Sequence, residues 1–356
     1  MSINLVNEGG FGCLYFPSIN CDGSKSNDKN SISKLQLINF NSINEIYIGK
    51  LIQKIPNFQL FFRPTLSFCK LNIGNLQDKK FKDCNLINSL NQNKNFILTN
   101  QFYIDSVSFN QIFLEYIKYP GYQFLIFIET YRYLLYSLDL LVINKIIHMD
   151  IKKQNILYSK SVKNPILIDF GISIPIEKVN KKNIKKYFYV FAPKYSIWAL
   201  EIHFINYLLH KGELNESKVK DILNEYYENN SAFSLFSDDF KQNYILAGFN
   251  YYKQFIGISK EYTVNYLMKY YYTWDLFSLS ILYLNFLTSL SKDSLYSSLL
   301  ISKFLELLLT NIFPNPERRY DTKKSLNAFQ RVFYIGDSIS EYKSLIENLK
   351  YSNLIL

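Results

Sequence analysis

Up to about residue 115, the chain arranges its apolar residues in short runs separated by turn-forming residues. Runs of this kind predict β-strands, and four of them read CLYFPSI, SISKLQL, FQLFFRP and QIFLEYI. The stretch Ile43 to Ile55 instead spaces its apolar residues three and four apart, which predicts a helix. The stretch Asn20 to Asn30 is polar and turn-rich, and it predicts a loop.

After Pro120 the pattern becomes helical. The segment YQFLIFIETYRYLLYSLDLLVINKII predicts a buried helix pair, and helical spacing with polar breaks runs from Ile202 to about Lys269. Leu276 to Ser291 lacks charge but holds Asn285 and several serines, which favours a buried helix over a membrane span. The pattern predicts an α+β protein with a small, mostly β N-terminal lobe and a larger helical C-terminal lobe.

Composition adds a limit on what can be inferred. Hydrophobic residues make up 48% of the 356 residues and charged residues 20%, so a large folded core is expected. The abundance of Lys, Asn, Ile, Tyr and Phe indicates A/T-rich coding, which weakens composition as a guide to function. The net charge is +10 and the one compact basic cluster is KVNKKNIKK, Lys178 to Lys186. A solvated basic surface is favoured over a nucleic-acid site.

Four cysteines lie in the first quarter of the chain without a CxxC pair, at Cys13, Cys21, Cys69 and Cys84. This spacing predicts neither a disulfide framework nor a zinc site, and it favours a reducing compartment. The N-terminus MSINLVNEGG lacks a basic region followed by an apolar one, so no signal peptide is predicted.

Polar residues suited to catalysis are concentrated in two short segments beside apolar runs, IIHMDIKKQNIL and PILIDFGIS. In the first, a tight loop would place Asp150, Lys152 and Asn155 at the mouth of a cleft. A carboxylate there orients a hydroxyl and accepts its proton, and a lysine stabilises charge on a migrating phosphoryl group. The amide oxygen of Asn155 and the carboxylate of Asp169 are hard ligands suited to Mg²⁺. The pattern predicts phosphoryl transfer.

HMDIKKQN followed by DFG resembles the catalytic loop and metal-binding motif of eukaryotic-type protein kinases. The nineteen residues from Asp150 to Asp169 fit that family. The resemblance implies a bilobal protein-kinase-like fold that binds ATP and Mg²⁺. Its N-lobe would span 1–116, with the glycine-rich loop and the ATP lysine, and its C-lobe 117–356, with a helical insertion at about 202–269.

Other family motifs follow in order. NEGGFGCLY resembles the glycine-rich loop, SISKL the strand of the ATP-binding lysine, and IFLEYIKYPG the hinge. The resemblance implies that Lys34, aligned by Glu45, grips the α- and β-phosphates. It implies a hinge with Leu114 as gatekeeper, in which the backbone of Glu115 and Ile117 binds the adenine edge. The remaining nucleotide contacts implied are Gly9, Gly10, Phe11, Gly12, Leu14 and Leu157.

Later motifs carry support roles. YYTWDLFSLSILYLNFL resembles the central helix of the large lobe, in which Asp275 supports the catalytic loop, acts as a helix N-cap, or does both. NPERRYDT resembles a late motif in which Arg319 makes an internal ion pair. The usual Ala-Pro-Glu is altered in FAPKYSIWALEIH. Its glutamate is replaced by Lys194 or Glu201, and we expect Glu201 to pair with Arg319.

Two departures from the family bear on regulation and origin. Met149 stands where many of these kinases have an arginine that binds the phosphate of a phosphorylated activation segment. Neither Ser nor Thr lies between Ser173 and Ser196. This predicts an enzyme that needs no phosphorylation there. The long helical insertion and the amino-acid composition typical of A/T-rich coding resemble those of protein kinases from large cytoplasmic DNA viruses. This resemblance implies a cytoplasmic location, in the host cytoplasm or the virion.

The resemblance implies a serine/threonine-protein kinase that transfers the γ-phosphoryl group of Mg-ATP to protein substrates. Lys152, two residues after Asp150, favours Ser/Thr over Tyr acceptors. The alternative from another class is a pseudokinase scaffold that binds a partner through the same fold. A third possibility, a small-molecule kinase, fits less well because such enzymes usually lack a lysine at the Lys152 position. No membrane span and no clear nucleic-acid site are predicted.

Overall fold

The computed structural model describes residues 3–9, 12–71, 84–88, 95–115, 120–288, 299–335 and 340. The protein is α+β, with a small β-rich N-terminal region and a larger helical C-terminal part. Contacts divide the chain into two units, the first Met1–Val107 with Leu157–Ser173 and the second Ser108–Ile156 with Ile174–Leu356. The predicted lobe boundary at 116 lies outside the described residues.

The first unit contains a five-stranded antiparallel sheet in the order β1-β2-β3-β6-β5. A second sheet, in the order β4-β10-β9-β7, belongs to this unit apart from one terminal residue each of β7 and β9. The elements are β1 (Asn4–Gly9), β2 (Gly12–Phe16), β3 (Ser31–Leu37), α1 (Phe40–Ile52), β4 (Phe62–Arg63), β5 (Ser67–Leu71), α2 (Asn85–Asn88), β6 (Phe96–Phe102), β7 (Ser106–Ser108), β9 (Ile156–Ser159) and β10 (Pro165–Ile168).

The second unit is helical, with one two-stranded antiparallel sheet of β8 and β11. Tyr131, Tyr283 and Phe304 are fully buried and form part of its aromatic core. Its elements are α3 (Phe109–Glu115), α4 (Pro120–Ile143), β8 (Ile146–Ile147), β11 (Ile174–Pro175), α5 (Ile184–Tyr187), α6 (Leu200–His210), α7 (Glu216–Glu228), α8 (Asp238–Tyr252), α9 (Lys260–Met268), α10 (Trp274–Leu287), α11 (Leu299–Asn311) and α12 (Thr322–Phe333).

Several predicted elements are confirmed. SISKLQL is β3, the stretch predicted from Ile43 overlaps α1, and residues 202–269 are helical with polar breaks between the helices. Leu276 begins the charge-free stretch that forms most of the buried helix α10. None of the described helices is both long and apolar enough to cross a membrane.

Two strand predictions are wrong. FQLFFRP forms a 3-10 turn at Phe58–Leu60 and then only the two-residue strand β4. QIFLEYI lies mostly in helix α3. The reason is a capping box that we overlooked, because Ser108 Oγ accepts from Gln111 N and Gln111 Oε1 accepts from Ser108 N. A serine followed three places later by glutamine starts a helix.

The predicted helix pair after Pro120 is also wrong. The segment forms one 24-residue helix, α4, followed by β8. Neither Gly nor Pro occurs between Gly121 and the end of α4, so nothing in the sequence interrupts the helical hydrogen bonds.

The cysteine prediction fails as well, since the structure contains two disulfides, Cys13–Cys84 and Cys21–Cys69. Each joins residues far apart in sequence, which the fold of the first unit brings within 6.2 Å and 5.9 Å of each other at Cα. The spacing of the four cysteines along the chain does not indicate these two pairings. The inference from the cysteines to a reducing compartment therefore loses its basis.

Candidate functional site

Lys34 lies at the centre of β3, with Leu14 of β2 and Thr99 of β6 as its neighbours in the ladder. A central strand fixes the direction of this side chain, and Lys34 is only 7% exposed. Glu45 lies in α1, which begins with a capping box formed by Asn39 and Ser42. The cap satisfies backbone donors at the first turn and sets where the helix starts.

The first unit brings Lys34, Glu45 and Asp169 together. Lys34 Nζ donates to Glu45 Oε2 at 2.9 Å and to Asp169 Oδ1 at 3.0 Å. The Glu45 carboxylate also accepts from the side-chain amides of Gln36 at 2.8 Å and Gln101 at 3.3 Å. One ammonium group therefore joins two carboxylates that are distant in sequence.

The electrostatics of Lys34 are dominated by this pairing. Burial alone would lower the pKa of Lys34, but the charges of Glu45 and Asp169 outweigh burial and raise the pKa above its ordinary value. The Glu45 side chain is 2% exposed, whereas the Asp169 side chain is 29% exposed. Lys34 is thus a permanent cation whose second carboxylate partner reaches solvent.

Asp169 has a left-handed backbone conformation, with φ of 64°. A non-glycine residue adopts this conformation at a cost, and such residues occur often at functional sites. The chain after Asp169 is held by α1, because Asn44 Nδ2 donates to Ser173 O at 2.7 Å and to Gly171 O at 3.2 Å. Helix α1 therefore holds both Glu45 and the DFG turn.

In the second unit, Asp150 receives donors on both carboxylate oxygens. Lys152 Nζ and Asn155 Nδ2 approach Oδ2 at 2.8 Å and 2.7 Å, and Tyr195 Oη donates to Oδ1 at 2.6 Å. Asp150 is 5% exposed. The amide nitrogen of Asn155 also donates to Asp150 O at 3.0 Å, so Asn155 holds both the backbone and the side chain of Asp150.

The loop that carries Asp150 is supported by Asp275 of α10. His148 N donates to Asp275 Oδ2 at 2.6 Å, and Met149 N donates to Asp275 Oδ1 at 2.9 Å. Burial raises the pKa of Asp275 although these backbone donors oppose the change. The N-cap of α10 is Thr273, so the N-cap interpretation of Asp275 is wrong, and its contacts are with the loop backbone.

Met149, the residue that replaces the usual arginine, has a φ of 68° and is 3% exposed. Its carbonyl accepts from Trp198 Nε1 at 2.8 Å. The backbone at this position is therefore held on both sides, by α10 and by the segment before α6, without a charged side chain.

Tyr195 is a candidate functional residue that the sequence analysis missed. Burial and the charge of Asp150 raise the pKa of Tyr195, so the phenol stays protonated and donates. Its ring lies 5.0 Å from that of Trp198. The signal available in the sequence was weak, because Tyr195 is one of 30 tyrosines.

Glu201 of α6 and Arg319 form a fully buried, bidentate ion pair at 2.8 Å and 2.9 Å. The pairing expected from the sequence is therefore present. Lys194 is instead an exposed residue 4.0 Å from Glu225, so it does not serve the role of the missing glutamate.

Of the predicted glycine-rich loop, Gly10 and Phe11 lie outside the described residues. Gly9 and Gly12 face each other at the ends of β1 and β2. A Cβ at Gly12 would lie 2.4 Å from Leu35 O, so this glycine is required by close packing against β3. Leu14 is half-buried in β2. No contact in the described residues bears on phosphate binding at this loop.

The predicted hinge needs correction. Leu114 and Glu115 lie in α3 rather than in an extended segment, and Ile117 lies outside the described residues. These two residues end α3 and do not form the strand predicted for QIFLEYI. The adenine-binding role of Glu115 and Ile117 stays a prediction. The chain before α3 is β6, which ends at Phe102, then 103–105 without regular structure, and then the short strand β7, Ser106–Ser108. Leu157, the predicted floor of the adenine pocket, is half-buried in β9.

Among the described residues, the group of potential metal ligands found close together is Glu8, Cys13 and Cys84. Both cysteine sulfurs belong to a disulfide, so neither is a thiolate ligand. The predicted Mg²⁺ ligands lie in different units, Asp169 in the first and Asn155 in the second, and their role stays a prediction.

Comparison with known proteins adds no relative: no protein-family model and no curated protein matches the chain.

Proposed function

We propose that this chain is a Mg-ATP-dependent protein kinase that phosphorylates Ser or Thr, and that its two units are the lobes of a kinase fold. Asp150 would orient the acceptor hydroxyl and take its proton. Lys152 would neutralise the γ-phosphoryl group as it moves. Lys34, aligned by Glu45, would hold the α- and β-phosphates.

The main support for the proposal is that Lys34 forms ion pairs with both Glu45 and Asp169 in the first unit. The three residues come from three separate segments, which are β3, α1 and the DFG turn after β10. A buried ammonium group that shares two carboxylates is able to exchange one of them for a phosphate oxygen. The solvent-reaching carboxylate, Asp169, is the one suited to take a metal ion instead.

The residues present fit Mg²⁺. Asp169 offers a partly exposed carboxylate, and Asn155 offers an amide oxygen whose nitrogen is committed to Asp150. Mg²⁺ is commonly held by one or two such oxygen ligands together with substrate phosphates. When bound, it would neutralise charge on the β- and γ-phosphates.

The test is an incubation of the pure protein with ATP, Mg²⁺ and a set of proteins that include a generic basic substrate. Phosphorylated residues are then mapped by mass spectrometry. We expect phosphate on Ser and Thr with Mg²⁺ and none when EDTA replaces it. Absence of transfer to every protein, together with ATP binding that does not depend on Mg²⁺, would favour the pseudokinase alternative.

A further inference from the structure

The basic cluster of the sequence lies in the second unit, in the segment between β11 and α6. Five lysines occur between residues 178 and 186, and every one of them is exposed. We name this segment the lysine turn. Its charged residues are Lys178, Lys181, Lys182, Lys185 and Lys186.

The backbone of the lysine turn is fixed by local hydrogen bonds. Asn183 Nδ2 donates to Lys178 O at 2.8 Å, and Lys182 N donates to Asn180 Oδ1 at 3.0 Å. The short helix α5 follows, and after it Phe188 is buried against Trp274 with ring centroids 5.9 Å apart. The lysines are therefore presented from an anchored turn.

Positive charge exceeds negative charge along this segment of the sequence. Lys181 pairs with Glu261 at 2.6 Å, and Glu177 is the one acidic residue in the sequence from Ile174 to Leu200. Partial burial and the nearby charge of Lys185 lower the pKa of Lys260, which places another cation beside the turn. Such an excess attracts anionic groups.

The lysine turn leads directly to the residues around Asp150. The segment after the turn contacts Asp150 directly, because Tyr195 Oη donates to Asp150 Oδ1 at 2.6 Å. Tyr189 follows Lys186 by three residues, and burial and the charge of Asp150 raise the pKa of Tyr189. Three residues of extended chain span at most about 10 Å. A peptide whose hydroxyl reaches Asp150 therefore has neighbouring residues within reach of the lysine turn.

We propose that the lysine turn selects protein substrates that carry Asp or Glu close to the acceptor hydroxyl. This substrate class rests on the proposed kinase function. A peptide is favoured over nucleic acid because the cations occupy one short turn, whereas nucleic-acid footprints extend along a stripe or helix. Exposed ion pairs are individually weak, so selection arises from several lysines acting on several carboxylates.

The experiment compares two peptides that share one serine acceptor, flanked either by Asp and Glu or by Asn and Gln. We expect kcat/KM to be about tenfold higher for the acidic peptide, and the difference to shrink as salt is added. The double variant Lys182→Glu/Lys185→Glu should remove the preference and leave the neutral peptide unaffected. The matched control is Lys323→Glu/Lys324→Glu, which makes the same change of charge at exposed lysines of α12.

Fluorescence anisotropy of the labelled peptides without nucleotide gives a second readout that does not need transfer. Tighter binding of the acidic peptide that depends on Lys182 and Lys185 supports the surface even if no peptide is phosphorylated, in which case the kinase proposal alone fails. Equal binding and equal kcat/KM for both peptides would overturn the inference. Lysine-dependent binding of single-stranded RNA without binding of the acidic peptide would overturn it too.

Discussion

Among the described residues, the ion pair of Glu201 with Arg319 and the group of Lys34, Glu45 and Asp169 differ in one respect. Glu201 and Arg319 in the second unit have side chains with no exposure to solvent. Lys34 and Glu45 in the first unit are nearly as buried, but their third member, Asp169, is 29% exposed. We call the Glu201–Arg319 pair the closed centre because neither side chain is exposed to solvent. We call the group of Lys34, Glu45 and Asp169 the open centre because the Asp169 carboxylate is partly exposed.

The closed centre has its hydrogen bonds met within the protein. Glu201 accepts from Arg319, Tyr252 and Trp274, and Arg319 also donates to Phe313 O and Thr273 Oγ1. A charge pair satisfied in this way has a structural role and no capacity for a ligand. The open centre keeps an accessible carboxylate, which is the property that nucleotide and metal binding require. The Glu201–Arg319 pair therefore holds the fold, whereas the group with Asp169 has the solvent access that the proposed function needs.

The largest effect is expected in the closed centre. Arg319→Met should lower the free energy of unfolding by about 3–5 kcal/mol, because it leaves the Glu201 carboxylate buried without its counter-charge. Urea denaturation at pH 7 measures the change. A loss below about 1 kcal/mol would show that Glu201 is relieved by protonation or by water.

The double variant Glu201→Gln/Arg319→Met is the control for that experiment. Glutamine is neutral and keeps an oxygen for Tyr252 and Trp274. We therefore expect the double variant to be more stable than Arg319→Met, since no unpaired charge remains.

The open centre should respond differently. Lys34→Met should lower the free energy of unfolding by about 3 kcal/mol, at the lower end of the range for Arg319→Met, because Glu45 loses its counter-charge while Asp169 remains partly hydrated. It should abolish phosphoryl transfer. Denaturation and transfer assays on the same preparation separate these effects, and full transfer by Lys34→Met would remove Lys34 from the proposed site.

A pH dependence is expected beside the closed centre. Burial lowers the pKa of His203, on the same helix as Glu201, from 6.5 to about 3. Below pH 6.5, His203 binds a proton in the unfolded chain but stays neutral in the folded chain. The free energy of unfolding therefore decreases as the pH falls towards 3. One such proton gives a slope of about 1.4 kcal/mol per pH unit at most.

His203→Phe keeps an aromatic ring next to Trp198 and Tyr226 and removes the titration. The difference in unfolding free energy between variant and wild type, measured from pH 7 to pH 4, should therefore favour the variant increasingly at low pH. A constant difference across that range would mean that His203 binds its proton equally in both states.

The smallest effect concerns Tyr195. Tyr195→Phe keeps the ring against Trp198 but removes the donor to Asp150 Oδ1, and one such hydrogen bond corresponds to about a three- to tenfold loss of kcat. Tyr189→Phe is the matched control, since Tyr189 is close enough to sense Asp150. A rise in kcat for Tyr195→Phe would show instead that the hydroxyl obstructs the carboxylate.

The sequence identified features whose chemistry is local or whose order along the chain is informative. Lys34 and Glu45 were found as a strand residue and the next acidic residue on a following helix. The pairing of Glu201 with Arg319 was found because Lys194 carries the wrong charge for it. In each case the resemblance to kinase motifs indicated the pair, and charge sign and position along the chain selected its members.

Other features depend on tertiary contacts or on signals that were misjudged. The disulfide partners Cys13 and Cys84 meet only through the fold of the first unit. Tyr195 reaches Asp150 across 45 residues, and nothing local distinguishes it from other tyrosines. The error at Leu114 and Glu115 was avoidable, because Ser108 and Gln111 formed a readable helix start.

The central claim is that Asp150 performs chemistry and does not hold the nucleotide. Its most direct test uses Asp150→Asn, in which both the thermal shift produced by Mg-ATP and the rate of phosphoryl transfer are measured. We predict a thermal shift equal to that of the wild type and a rate lower by at least about a hundredfold. Transfer within tenfold of the wild type, with an unchanged thermal shift, would contradict the account.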